Sequence, residues 1–302
     1  MGGQKYMVRI IKAGKVYEII KFPVNGNIKP RLPKTKGSLP RKQDANERAA
    51  LKRLARLINA NFLPGDLLIT LTIDEDNKYR IEPDGENGER EKTAHIGKLF
   101  LDKLKRQLAK NGVEPKYITV VSDMDGDTGE IVRGHIHLLI TAMGFRYENG
   151  RLFVGEKDVG KIWGMGSVDV RPLWHQDDFT PIADYLLKQV KGRCGRDKAS
   201  YSPSRNLAQP ELIEERIEYG GGEIKAPRNG KILQRGEYIP GQPQYLRYFV
   251  KSAKGPKPVK AVRKRQKRRE NGRNGEKTAK SDRNGKIKYN QAKNGAKAGG
   301  RK

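Results

Sequence analysis

The chain has 302 residues, and its 63 Lys and Arg against 35 Asp and Glu give a formal net charge of +28. No stretch approaches the roughly 18 consecutive apolar residues that a membrane span needs. A single cysteine, Cys194, excludes an intramolecular disulfide framework and a cysteine-rich zinc site. The length favours one or two domains, and the hydrophobic content of 35% is enough for one modest core. With a single cysteine and no apolar span, we expect a location in the cytoplasm.

The predicted elements begin after a basic arm of residues 1–43, which Gly and Pro interrupt and which holds at most one strand, near Lys15–Phe22. A helix is predicted over Asp44–Asn59. Asp44 and Glu47 resemble a capping pair at its start, and apolar residues then recur at helical spacing.

Periodicity predicts the elements that follow. They are a strand over Leu67–Ile73, a helix over Glu91–Lys110, strands over Tyr117–Ser122 and Val132–Thr141, a strand near Ser167–Leu173 and a helix near Pro181–Lys191. Strands separated by helices, with one hairpin, indicate an α+β fold with a central antiparallel sheet and helices packed on one face. The pattern weakens beyond Pro210, so we assign residues 44–215 to one domain and residues 216–250 to a C-terminal extension.

The remaining residues, 251–302, form a tail with 20 Lys and Arg against 3 Asp and Glu. Rich in Gly and Asn, the tail cannot bury enough apolar surface to offset its ordering entropy, so we predict that it is disordered. Basic disordered segments bind polyanions through counterion release. We therefore expect nucleic acid as the partner and no membrane, since the tail has no amphipathic apolar face.

Two of the four histidines lie on one predicted strand, in His135-Ile136-His137. Residues i and i+2 of a strand point to the same face, about 7 Å apart along the chain. The opposite face carries Ile136 and Leu138 and should pack on the helices. The histidines should therefore point outward or into a groove. Two imidazoles placed in this way can bind one divalent metal ion and leave positions for substrate oxygens. The alternative is a pair of ordinary surface histidines.

A nucleophile for such a site is Tyr185, on the last predicted helix and 48 residues after His137. Tyr185 falls outside the buried stripe of that helix and is a surface neighbour of Lys188. A phenol has an ordinary pKa of about 10, so attack at neutral pH needs a polarised electrophile or a nearby cation, which Lys188 supplies. Tyr248 and Lys251 repeat the Tyr-x-x-Lys pattern, but position after the histidine strand favours Tyr185.

Taken in order, these motifs resemble the HUH endonucleases of rolling-circle replication. The signature of that family is a TLT-like strand, then His-hydrophobic-His, then a helix with Tyr-x-x-Lys. Here the three read LLITLTI (67–73), HIH (135–137) and YLLK (185–188). The chain is more specifically similar to replication-associated proteins of small bacterial phages and plasmids, over about residues 45–215.

The resemblance implies a metal-dependent DNA strand transferase with an RRM-like sheet. His135 and His137 would hold Mg²⁺ or Mn²⁺, and Tyr185 would attack the scissile phosphate, leaving a 5′-phosphotyrosine link and a free 3′-OH. Lys188 would orient the phosphate or the phenolate. The implied partners are single-stranded DNA at a replication origin and the helicase and polymerase of a bacterial host cell.

The family usually supplies a third metal ligand, a carboxylate, at the end of the strand before the histidines. In this chain the corresponding position is Ser122, with Asp123 directly after it. Asp123 is the predicted ligand, because a hydroxyl is a poorer ligand than a carboxylate for a hard divalent ion. Gln189, one helical turn from Tyr185, is the second candidate.

Two alternatives stay open from the sequence. Tyr185-x-x-x-Gln189 also resembles the motif of single-tyrosine transposases, although those proteins are usually much shorter. A non-enzymatic protein that binds single-stranded nucleic acid would explain the charge, but it would leave the histidine pair and the tyrosine without a role.

Overall fold

The computed structural model describes residues 4–24, 40–74, 87–126, 128–190 and 200–251. The predicted disordered tail, apart from Lys251, and Cys194 lie outside these residues. The helices are α1 (Pro40–Asn61), α2 (Asn87–Lys110), α3 (Val159–Trp163) and α4 (Thr180–Lys188). The strands are β1 (Lys5–Ala13), β2 (Val16–Pro23), β3 (Leu67–Thr72), β4 (Tyr117–Met124), β5 (Ile131–Ile140), β6 (Phe145–Glu148), β7 (Arg151–Val154), β8 (Lys157–Asp158), β9 (Val168–Pro172), β10 (Ser202–Pro203), β11 (Glu211–Tyr219), β12 (Gly230–Arg235) and β13 (Gln244–Val250).

The central sheet has five strands in the order β10-β4-β5-β3-β9, and each neighbouring pair is antiparallel. Its middle strand, β5, carries the two histidines and pairs with β3 on one side and β4 on the other. The predicted α+β fold with an antiparallel sheet is therefore confirmed, as are the helices and strands predicted between residues 44 and 191, with ends that differ by a few residues.

Helices cover both faces of the central sheet, whereas the sequence predicted packing on one face. On the first face Ile136 of β5 packs in one core cluster with Leu104 of α2 and Trp163 of α3. On the second face Leu139 of β5 packs with residues of α1 and α4, among them Leu186. The reason lies in β5, which ends in a run of apolar residues, so both of its faces need cover at that end.

A second antiparallel sheet has the order β11-β1-β2-β13-β12. It joins residues that the sequence placed in an N-terminal arm, over 1–43, to residues of the predicted C-terminal extension, over 216–250. The hairpin between β1 and β2 turns at Gly14, whose φ of +62° suits glycine. A Cβ at this position would lie 2.1 Å from the carbonyl oxygen of Asn59 in α1, so the close packing of the hairpin on the helix also requires glycine.

Buried ionic groups join the second sheet to α1. Glu18 of β2 receives two hydrogen bonds from the Arg56 guanidinium, at 3.1 and 2.6 Å. Glu18 is buried, and this bidentate geometry is the arrangement that compensates a buried carboxylate best.

A small third sheet, β6-β7-β8, packs with α3 against α2. Asp158 caps α3 by accepting a hydrogen bond from the Gly160 N–H at 2.8 Å. None of the helices within the described ranges is long and apolar enough to cross a membrane.

Candidate active site

The two histidines share the face of the central sheet that α4 covers. His137 lies opposite Thr70 of β3 and Val120 of β4, and His135 lies opposite Thr72 and Ser122. Directly opposed residues of antiparallel strands point to the same side, so these side chains form two rows across three strands.

The last helix brings Tyr185 onto this pair. The ring centroids of His135 and His137 are 4.8 Å apart, and those of His137 and Tyr185 are 5.3 Å apart, both with edge-to-face geometry. Tyr185 is 39% exposed, so the phenol is open to solvent on one side. Residues that the sequence separates by 48 positions therefore form one cluster of three rings.

His137 is buried and electrically neutral at physiological pH. Burial and, to a smaller extent, the neighbouring His135 lower its pKa to about 3, while the side chain of Gln189 opposes the shift. Its Nδ1 lies 3.2 Å from the Thr70 hydroxyl, and its Nε2 is buried without a hydrogen-bond partner. If Nδ1–H donates to Thr70, Nε2 presents an unshared lone pair to the site.

A backbone hydrogen bond fixes the Nδ1 proton of His135. Its Nδ1 lies 3.0 Å from the carbonyl oxygen of Arg133. A carbonyl can only accept, so Nδ1 carries a proton, and Nε2 is the nitrogen left for a metal ion. Two imidazoles whose Nδ1 atoms are engaged in hydrogen bonds are the arrangement that metal-ligating histidines adopt. The residues present therefore fit a divalent transition-metal ion.

The third metal ligand stays a prediction. Among the described residues, no group of three or more His, Cys, Asp or Glu side chains is placed to hold a metal ion, and Asp123 is buried. Ser122 is engaged with the backbone, donating to the Met124 carbonyl at 3.0 Å and contacting the carbonyl of Gln189. The Gln189 side chain is buried beside His137 and is the better placed of the candidates.

A close backbone approach fixes the position of Gln189. A Cβ added to Gly126 would lie 2.5 Å from Gln189 Nε2, so the turn after β4 packs directly on this amide. Any larger residue at position 126 would push the amide away from His137.

Lys188 is on the exposed side of α4. Its ammonium pairs with Asp184 of the same helix at 3.1 Å, and the two side chains are 53% and 47% exposed. Exposed pairs at this spacing are weak and exchange readily with solvent. Lys188 can therefore leave Asp184 and contact a bound anion near Tyr185.

The second Tyr-x-x-Lys pattern is structural. Tyr248 is 6% exposed and stacks on Tyr17 with centroids 5.4 Å apart and rings 11° from parallel. Burial raises its pKa. A buried phenol in the core of the second sheet has no access to a substrate, which leaves Tyr185 as the candidate nucleophile.

Sequence reasoning missed the residues that hold the start of α4. Asp178, just before the helix, accepts from Asn59 Nδ2 at 2.9 Å and pairs with Arg247 of β13 at 3.1 Å. Arg247 also donates to the Thr180 hydroxyl at 2.7 Å. Asp178 followed by Thr180-Pro181 was a recognisable helix start, but no local pattern points to a partner in β13.

The described fold and site define an α+β protein with a histidine pair and a solvent-accessible tyrosine on one face of an antiparallel sheet. No family model, curated protein or solved structure matches the chain.

Proposed function

We propose that the protein is a metal-dependent DNA strand transferase that initiates rolling-circle replication by nicking and rejoining single-stranded origin DNA. The contact between His137 and Tyr185 carries the proposal. A buried neutral imidazole with an unpartnered Nε2, next to an exposed phenol, has no evident use in stabilising the fold, because burying an unpaired polar atom costs free energy.

His135, His137 and Gln189 are the residues that would hold the divalent ion, Mg²⁺ or Mn²⁺. When bound, such an ion polarises the scissile phosphate and stabilises its developing charge. Imidazole and amide donors suit a transition ion better than Mg²⁺, which prefers a shell of oxygens. We therefore favour Mn²⁺.

Tyr185 is the proposed nucleophile. Its Oη forms a bond to phosphorus while the bond from phosphorus to O3′ breaks, and the phenolic proton passes to water. The 3′ oxygen takes up a proton, so the products are a 5′-phosphotyrosine and a free 3′-OH. Attack of a DNA hydroxyl on that link reverses the step and rejoins the strand. Lys188 supplies positive charge to the phosphate or the phenolate.

The charge and the open part of the site fit a nucleic-acid substrate. The net charge of +28 favours polyanions through counterion release. The 3′-OH left by nicking is the primer that a polymerase requires, so the proposed partners are the polymerase and helicase of a bacterial host, in its cytoplasm.

The test uses the full chain with single-stranded DNA covering the candidate origins of its own replicon, with and without Mn²⁺. We expect a protein–DNA adduct that survives SDS, needs the ion and disappears in Tyr185→Phe. Tyr248→Phe is the matched control, since it keeps the buried ring and should keep the adduct. DNA binding without an adduct under any ion would instead identify a non-enzymatic nucleic-acid-binding protein.

A further inference from the structure

A cleft of about 650 Å³, which we call the basic cleft, lies between α2, the β7–β8 hairpin and α3. It is on the face of the central sheet opposite Tyr185, because α2 and α3 pack on the other core cluster from α4. Five cationic side chains line it, namely Lys103, Arg106, Arg151, Lys157 and Lys161.

Most of this positive charge is not neutralised within the protein. Asp158 is engaged by Arg151 at 3.4 Å and by the cap of α3. Among the described residues, no carboxylate forms an ion pair with Lys103, Lys157 or Lys161. Glu156 and Asp158 also line the cleft, so its wall carries five cations against two carboxylates. A concave wall with such an excess of positive charge raises the local concentration of anions.

A second cavity, of about 440 Å³, continues from the basic cleft towards the active site. The two share Arg151, Asp158 and Lys161, and the second reaches Asp169 on β9. Asp169 pairs in register with Thr70, which pairs with His137. Adjacent strands are about 4.8 Å apart, so Asp169 lies roughly 10 Å from His137.

The path from the second cavity to the Tyr185 face of the central sheet passes the sheet edge. β9 is the outermost strand there, so no further strand blocks the way from one face to the other. Tyr147, which is 63% exposed, lines the second cavity, and half-buried Phe153 lines the basic cleft. Cations beside an accessible aromatic ring are the surface that single-stranded nucleic acid binds, through phosphates and stacked bases.

We propose that the basic cleft binds the phosphate backbone of single-stranded DNA that continues from the Tyr185 site around the β9 edge. A DNA strand and a free nucleotide both present phosphate groups to the cleft, so a free nucleotide is the competing ligand. The inference rests on the proposed function for the identity of the polymer, but it concerns binding rather than cleavage, so the two can fail separately.

The test removes the cleft charge from the full chain with Lys103→Gln, Lys157→Gln and Lys161→Gln together. The matched control, Lys15→Gln, Lys98→Gln and Lys225→Gln, removes the same charge from exposed lysines elsewhere. Affinity is measured against salt for single strands of about 30 and about 8 nucleotides. Loss of three phosphate contacts should reduce the salt slope by about 2 for the long strand in the cleft variant.

The short strand and the control variant separate binding in the cleft from a general effect of net charge. A strand that only fills the Tyr185 site should bind the cleft variant and the unaltered protein alike. If the cleft and control variants lose equal affinity, or if the loss is the same for both strand lengths, net charge explains the result and the cleft proposal is overturned.

Lysine acetylation read by mass spectrometry locates the contact without relying on affinity. In Tyr185→Phe, which forms no adduct, the long strand should slow acetylation of Lys103, Lys157 and Lys161, and the short strand should not. Protection by dATP but not by the long strand would assign the cleft to a nucleotide and overturn the proposal. If the cleft proposal is wrong, adduct formation on short origin DNA is still expected. If the nicking proposal is wrong, the length-dependent protection of the cleft lysines is still expected.

Discussion

Arg247 of β13 and Asp178, which precedes α4, form an ion pair of 3.1 Å whose side chains are only 12% and 11% exposed. Through this pair and the hydrogen bond from Arg247 to Thr180, the second sheet fixes the start of the helix that carries Tyr185. The helix that carries Tyr185 is therefore held by the second sheet as well as by the core of the central sheet.

Arg247→Met should destabilise the protein by about 3 kcal/mol, because Asp178 would stay largely buried without its cation. Urea unfolding measures the change. Arg9→Met is the control, since Arg9 and its partner Glu215 are 46% and 38% exposed, and its loss should cost less than about 1 kcal/mol. Equal effects of the two substitutions would show that the Arg247 pair does not hold α4.

The free energy of unfolding should decrease as the pH is lowered, because of His137. Its pKa is lowered to about 3 in the fold, from 6.5. Below pH 6.5 the unfolded chain binds a proton that the folded chain does not, so stability falls by up to about 1.4 kcal/mol per pH unit until pH reaches the folded pKa. Above pH 6.5 this contribution is constant.

Urea unfolding of metal-free protein at pH 7 and pH 5, with a chelator present, measures that dependence. Between pH 7 and pH 5 the unaltered protein should lose about 2 kcal/mol of unfolding free energy. His137→Gln should abolish this loss, and His135→Gln should retain it. An unchanged pH dependence in His137→Gln would place the titration elsewhere.

Gln189→Ala should raise the Mn²⁺ concentration needed for half-maximal adduct formation by about tenfold or more, since even the loss of a residue that only supports a metal ligand typically costs 10–100-fold. Asp123→Asn is the comparison, because Asp123 was the ligand predicted from the resemblance. If Asp123→Asn shifts the Mn²⁺ dependence and Gln189→Ala does not, the carboxylate is the ligand.

Lys188→Met should slow adduct formation while the melting temperature and DNA affinity change little. The Lys188–Asp184 pair is exposed, so its loss should cost less than about 0.5 kcal/mol. Lys188→Arg should restore much of the rate because it restores the charge. Loss of affinity equal to the loss of rate would make Lys188 a general DNA contact with no separate role in the reaction.

The sequence predicted the elements whose signals are local. Alternation placed β5 and its histidines, helical spacing placed α4, and the order of the motifs selected Tyr185 over Tyr248. What it could not predict depends on contacts between distant residues. The burial of His137 requires α4 to fold over it, whereas the pattern of β5 alone predicted only that the histidines point outward or into a groove.

The second sheet was missed for a related reason. β11 is an edge strand whose residues are mostly exposed and charged, so it lacks the apolar alternation that identifies a half-buried strand. Its partner β1 lies about 200 residues earlier, as the pairing of Arg9 with Glu215 shows. A pairing over that distance produces no pattern that a short stretch of sequence could show.

The position of β13 beside β2 has a consequence for synthesis on the ribosome. β2 lacks one of its two neighbours until residues 244–250 have emerged, more than 220 residues after β2 itself. Chains appear from the N-terminus onward, so Asp178 meets Arg247 only when the domain is nearly finished. A nascent or truncated chain would hold the histidines and Tyr185 without the contact that steadies α4. The helix that carries Tyr185 would therefore gain this support only in chains that extend through β13.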